Sequence, residues 1–252
     1  MKLYFPDNIF SRLIKEALPE NLSREISFVP SAMAAGKIAG DSNSAGLIPT
    51  IDLIRHKDLF ISKRFGITFE GSLCNSYIYF NTHEKNISEL FISGDVSSME
   101  VILAKILFEE VYESEVEIKI STDISKLSDK NFMLIGDENF DYKNYSSGIS
   151  FAEEIEDAFS IPYVNFVFAS SSDNLIRELN KQLENIGAVI YDKIESGDFG
   201  SGLPAESKKN IADNFSSFIF DLTEQDVEAI NQLLQLPYLK GIVDDITEVK
   251  FV

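Results

Sequence analysis

The feature that most limits what this chain can fold into is a recurring local pattern: an apolar run, a short polar turn carrying Asp, Ser or Thr, then, in two of three cases, a helical stretch. ELFIS at Glu89–Ser93 stops at Gly94 and Asp95; Ser97 and Ser98 follow; MEVILAKILFEEVY then reads as a helix with few exposed positions. The same unit recurs where Ala45–Ile48 meets Pro49, Thr50 and the short helix IDLIRH, and where FMLI (Phe132–Ile135) meets Gly136 and Asp137. Strand and helix alternate through the first two-thirds, which predicts parallel α/β sheets whose ligands bind at the carboxyl ends of the strands. The last third reads as almost all helix.

The other elements follow from period and punctuation. Lys2–Phe5 is a short strand, and Asp7 or Asn8 caps a helix over Ile9–Ala17 that Pro19 ends. Glu25–Val29 is a strand, after which Ser31 caps SAMAAGKIAG. Leu59–Ser62 and Gly66–Phe69 are extended, and Ser76–Asn81, Glu115–Ile120 and Tyr163–Ala169 are strands. Ser150–Phe159 is an acidic helix, and Ser172 or Asp173 caps one long amphipathic helix, NLIRELNKQLENIGAVIYDKI. Helices over Glu206–Phe215 and Glu224–Leu234 flank FIFDLTEQD, which has room for a strand. There is no internal repeat, low-complexity segment or composition break to mark a domain boundary.

Composition excludes several functions. With 44% hydrophobic residues in 252, the chain can bury a core. Its 41 acidic against 22 basic residues give a net charge of −19, which repels phosphate backbones and anionic lipid surfaces, so no nucleic-acid or membrane partner is expected. Cys74 is the single cysteine, which excludes an internal disulfide and a multi-thiolate metal site. The two histidines, His56 and His83, lack metal-ligand spacing. MKLYFPDNIF does not read as a secretory signal, and no apolar run approaches the ~18 residues of a membrane span, so a cytoplasmic protein is expected. GxGxxG, GxxxxGK[ST] and GxSxG do not occur; GDFGSG at Gly197–Gly202 follows no strong strand and reads as a flexible loop.

The Ser97–Ser98 turn has two readings. Either a serine simply caps the helix, or the two hydroxyls and the free N–H groups of the first turn hold a ligand carboxylate. Asp95 and Asp137 likewise read either as solvent-facing turn residues or as the lining of one cleft.

Taken in order, VPSAMAAGKI, AGLIPTIDLI, NSYIYFN, ISGDVSSMEVILAKIL, MLIGDENF and IPYVNFVFA resemble the chorismate dehydratases of the futalosine route to menaquinone, over Phe28–Ala169 and the helix that follows. The resemblance implies a two-lobed, type II periplasmic-binding-protein-like α/β fold: mixed sheets flanked by helices, with a helical C-terminal third. Its first lobe would comprise 1–82 plus 166–252 and its second 83–165. The implied activity is a hydro-lyase that removes water from chorismate in the cleft between the lobes, with no metal or organic cofactor. Asp7, Asn8 and Ser76 would be catalytic, Asp7 as acid and base. Thr50, Asn75, Ser97, Ser98, Glu100 and Asp137 would bind a small-molecule substrate, chorismate or a related carboxylate. The sequence also departs from that family. Met99 and Glu100 stand where Arg-Thr is usual, Asn75 where a basic residue is frequent, and Phe168 where an aromatic closes the cleft. A glutamate beside a dicarboxylate costs roughly 4 kcal/mol at 4 Å and an effective dielectric of 20. The alternative is therefore a divergent, noncatalytic protein of the same fold that binds a small metabolite, neutral or amine-bearing.

Overall fold

A computed structural model describes residues 1–81, 87–141 and 147–252. Two mixed sheets organise them. The larger contains β1 (Lys2–Pro6), β2 (Ile26–Val29), β3 (Ser44–Pro49), β4 (Phe60–Phe69), β10 (Tyr163–Ser170), β11 (Phe218–Asp221) and β12 (Lys250–Phe251). Its order is β11-β4-β10-β3-β1-β2, with β12 beside β4. The smaller contains β5 (Ser76–Tyr79), β6 (Glu89–Gly94), β7 (Glu117–Ile120), β8 (Phe132–Ile135) and β9 (Ile149–Ser150), in the order β7-β6-β8-β5-β9. The chain changes sheets between Phe69 and Ser76 and again between Ser150 and Tyr163, ahead of the bounds at 82/83 and 165/166 that the resemblance implies. His83 lies outside the described residues.

The expectation of parallel sheets holds only in part. Strands β1, β2 and β3 are parallel, as are β6, β7 and β8, but β10 is antiparallel to both its neighbours and β5 to both of its own. Both β5 and β10 are strands by which the chain enters one sheet from the other; edge strand β11 is also antiparallel to β4. Strands β5 and β10 arrive from outside the strand–helix repeat, so the right-handed crossover that enforces parallel pairing does not apply to them. Central strands β3 and β10 are buried along their whole length, as SAGLIP and YVNFVFAS suggest.

Helices cover the faces: α1 (Ile9–Ala17), α2 (Glu20–Ser23), α3 (Ser31–Ala39), α4 (Ser98–Val111), α5 (Glu138–Asp141), α6 (Phe151–Phe159), α7 (Asp173–Gln182), α8 (Ile186–Ser196), α9 (Ala205–Asp213) and α10 (Glu224–Leu239). Thr50–Ile54 is a 3-10 turn. The expected single helix after Tyr163–Ala169 is two, α7 and α8. Asn185 between them is left-handed (φ 62°), and the N–H of Gly187 donates to Asp221 at 3.1 Å. A Cβ on Gly187 would lie 2.6 Å from that carboxylate, so the glycine fixes how α8 docks on β11. The two extended runs expected near Leu59–Phe69 are one strand, β4, irregular where the Ser62 hydroxyl accepts from the N–H groups of Arg64 and Phe65. Helix α10 runs past the expected Leu234 to Leu239.

An aromatic cluster ties the two sheets together. Phe10 meets Phe69 at 4.6 Å and Phe218 at 5.4 Å in the larger lobe, and Phe140 of α5 at 6.0 Å from the smaller. Phe168 does not line a cleft: its ring is buried edge-to-face against Phe5 and Phe65.

At the end of β6, Gly94 has φ +97°, and a Cβ there would lie 1.9 Å from the carbonyl oxygen of Ile135 on β8. Only glycine fits both demands. Gly94→Ala is expected to destabilise the protein by about 2–4 kcal/mol, from left-handed strain plus overpacking. Urea denaturation measures this; a loss below about 0.5 kcal/mol would show that the β6–β8 ends part without cost.

Candidate functional site

The carboxyl ends of β1, β2, β3, β6 and β8 meet along the seam between the sheets. The heads of α1, α3 and α4 point into it. Each helix leaves its first-turn N–H groups without an internal partner and carries partial positive charge there. A carboxylate of the opposite lobe reaches each head, accepting a main-chain N–H at α1 and α3 and the Ser98 hydroxyl at α4.

Asp95, after β6, reaches the head of α3. Ser31 donates its N–H to Asp95 Oδ1 at 2.9 Å and its hydroxyl to Oδ2 at 2.5 Å. Ser31 is thus the first residue of α3 rather than its cap, and Asp95 caps the helix from the other lobe. Asp137, after β8, reaches the head of α1, where the N–H of Ile9 donates to its Oδ1 at 2.7 Å. Arg12 also binds Asp137, and it donates to Asp7 at 2.7 Å. Asp52, in the turn after β3, accepts the hydroxyl of Ser98 at the head of α4. Burial raises the pKa of both Asp52 and Asp95, with the Ser98 and Ser31 hydrogen bonds opposing the shift.

Ser97 is the N-cap of α4 and closes a capping box with Glu100. It donates its N–H (3.0 Å) and hydroxyl (2.6 Å) to Glu100 Oε2 while accepting from the N–H of Met99. Glu100 is 1% exposed. Burial pushes its pKa above the ordinary 4.5, against the Ser97 hydrogen bonds, and the charge of Asp95 adds to the rise. Glu100 also pushes up the nearby Tyr163, whose own burial is the larger cause.

The remaining expected residues fall as follows. Thr50 is buried and donates its hydroxyl to the carbonyl of Val164 at 2.6 Å. Asn8, not Asp7, caps α1 by accepting from the N–H of Ser11; its Nδ2 is buried without a partner. Asp7 is 61% exposed in its salt bridge to Arg12. Asn75 Oδ1 and Ser76 Oγ are buried without partners where the chain enters the smaller sheet. Strand pairing sets Ser76 beside Ile135 and Ile135 beside Gly94, so Ser76, Asp95 and Asp137 belong to one end of that sheet. Asn165 on β10 donates its Nδ2 to the Tyr163 hydroxyl and leaves its buried Oδ1 unpartnered. Cys74 is buried, and its thiol is pushed up to about 12 by burial. It is not a nucleophile at neutral pH.

Arg12, Ser31, Asp52, Tyr163 and Asn165 were not among the expected site residues. Asp52 lies two residues after Thr50, so the polar turn after β3 held the signal. The others gain their role only from tertiary contact. A cavity of about 260 Å³ adjoins the seam, lined by Ile9, Arg12, Glu16, Asp137 and the 200–203 segment of the glycine loop. That loop is anchored, its Gly200 N–H donating to Glu16 at 3.0 Å. Among the described residues no group of three His, Cys, Asp or Glu could hold a metal, and no helix is long and apolar enough to cross a membrane.

No protein-family model and no curated protein matches the chain. Solved structures do. Protein AF1704 from Archaeoglobus fulgidus aligns with a TM-score of 0.69 at 12% identity, over 96% of this chain and 98% of that one. The alkanesulfonate-binding protein SsuA from Xanthomonas axonopodis pv. citri, bound to MOPS, aligns at 0.66 and 11% identity, over 100% and 97%. The periplasmic aliphatic sulphonate binding protein SsuA from Escherichia coli aligns at 0.58 and 12%, over 99% and 90%. The chain thus has the type II periplasmic-binding-protein-like α/β fold, and at these identities the likeness is one of fold alone.

The raised pKa of Glu100 has a definite sign. A carboxyl whose pKa rises on folding gives its full stability below the unfolded value and loses it as pH climbs through the folded value. Stability is therefore expected to fall as pH rises from the ordinary carboxylate range toward neutrality. Glu100→Gln keeps an oxygen for Ser97 and removes the ionisation, so its decline should be shallower. Urea midpoints measured across that range test this; identical slopes would mean that the buried carboxyl keeps an ordinary pKa.

Proposed function

We propose that this protein binds a small molecule between its two lobes, and that the ligand is uncharged or carries an amine. The observation that carries this reading is the occupancy of the helix heads. Asp137 and Asp95 already take N–H groups at the heads of α1 and α3, and Asp52 takes the Ser98 hydroxyl at the head of α4. A ligand carboxylate would have to displace one of them and then lie beside it in a low-dielectric seam, where like charges repel strongly. A neutral polar or ammonium-bearing ligand faces no such cost. It would find unpartnered acceptors in Asn75 and Asn165, and unpartnered hydroxyls in Ser11 and Ser76. The alkanesulfonate-binding proteins hold a small molecule on the same fold, which supports binding as the role.

Dehydration of chorismate is the second reading, favoured by the Ser97–Ser98 pair at the head of α4. It needs donors for two carboxylates together with an acid and a base. The hydroxyls of Thr50, Ser97 and Ser98 are donated to Val164, Glu100 and Asp52, and Asp7, the expected acid and base, is paired with Arg12. Asn8 and Ser76 retain unpartnered polar atoms in either reading.

A thermal-shift screen separates the two. A ligand at 100 times its Kd stabilises by about 2.7 kcal/mol, which raises Tm by several degrees. Small diamines, amino sugars or polyols are expected to give such a shift, while chorismate gives none and is not consumed at high protein concentration. Chorismate turnover, or a shift with carboxylates and none with amines or polyols, would replace the binding reading with the enzymatic one.

A further inference from the structure

The strongest local reversal of charge lies far from the seam. A cavity of about 430 Å³ opens between β4 and α7, and Lys63, Arg64, Arg177 and Lys181 line it. Four cations around one cavity are unexpected in a chain with a net charge of −19. Two local devices bring them together. The irregularity at Ser62 turns the following stretch of β4 outward, leaving Lys63 and Arg64 both exposed. On α7, Arg177, Asn180 and Lys181 stand at i, i+3 and i+4 and share one face.

Asn180 ties α7 to β4 beneath the cavity. It is 8% exposed, and its Oδ1 accepts the Ser62 hydroxyl at 2.6 Å. That bond turns Nδ2 toward the main-chain oxygen of Val252, 3.4 Å away, which also accepts from the Lys63 N–H. Two carboxylates answer the four cations: Glu184 lies 3.5 Å from Arg64 and Asp173 lies 3.8 Å from Arg177. All four partners of these pairs are well exposed, and such pairs hold weakly. An excess of two positive side-chain charges remains, two of the four cations being guanidinium forks suited to bidentate oxyanions. The volume exceeds that of a bare oxyanion and suits an anion with an organic body.

We infer that this cavity is a second binding site, for a small phosphorylated metabolite carrying a phosphate monoester dianion. Arg64 and Arg177 grip the phosphate oxygens, and Lys63 and Lys181 add charge. The overall negative field repels polyanions, so the site selects a compact dianion over a nucleic acid.

Isothermal titration in about 0.15 M NaCl, where surface charges are screened, tests this with glycerol 3-phosphate, AMP and inorganic phosphate, and with citrate as a carboxylate anion. At least one phosphate monoester is expected to bind with Kd below about 1 mM. The Arg177→Gln/Lys181→Gln variant should weaken it at least about tenfold, and Lys126→Gln, an exposed lysine of the other lobe, should leave it unchanged. Inorganic phosphate alone binding as tightly would remove the organic body from the inference and overturn it. So would citrate binding as tightly as the monoesters, equal losses in both variants, an unchanged Kd in the double variant, or no binding. The variants' urea midpoints confirm that any loss arises in a folded protein.

Discussion

Unpaired N–H groups at helix heads, and the requirement that they not be left bare when buried, shape this molecule more than any other polar interaction. Helices α1, α3 and α4 all start at the seam because each follows a strand that ends there. Their first turns therefore demand acceptors in the same small region. A solvent-facing helix would take water or its own cap. Here Asp137 and Asp95 accept first-turn N–H groups of α1 and α3 across the seam, while Asn8 and Ser97 cap α1 and α4 locally and Asp52 takes the Ser98 hydroxyl, so bonds at three helix heads also join the lobes. The aromatic contact between Phe10 and Phe140 supplies the apolar counterpart at the same junction.

Much of the local structure was legible in the sequence, for a plain reason: strands, caps and turns are written in neighbouring residues. A serine cap at Ser97–Ser98 was one of the two readings of that turn, and the helix that follows is where its pattern put it; the Glu100 half of the capping box went unread. The two-lobed fold was reached through the order of short segments. What escaped were relations between distant positions. Asp95 and Ser31 are 64 residues apart, and Ile9 and Asp137 are 128 apart. Nothing in SGDV or IGDE distinguishes an aspartate that faces water from one that caps a helix of the other lobe. The split between α7 and α8 escaped for a related reason. The apolar pattern runs through Asn185 unbroken, and the break comes from Gly187 meeting Asp221 on a strand more than 30 residues later.

The acidity of the chain also acquires a location. Read as composition, it argues against polyanionic partners. In three dimensions part of it occupies sites where the same fold can meet a ligand, while basic residues gather between β4 and α7. Glu100 shows the cost of that arrangement. It is a good first-turn residue for the helix dipole, yet its burial opposes ionisation.

The two passages of the chain from one sheet to the other have a mechanical meaning. Bodies joined at two crossings, here 70–75 and the stretch 151–162 that carries α6, can hinge about the line through both. Cys74 in the first crossing and Tyr163 just after the second are both shielded from solvent, so the pivot is firmly seated. The cross-seam carboxylates sit close to that pivot: the N–H of Gly136, next to Asp137, donates to the carbonyl of Asn75 in the first connector at 2.8 Å. Bonds made there stiffen the hinge itself.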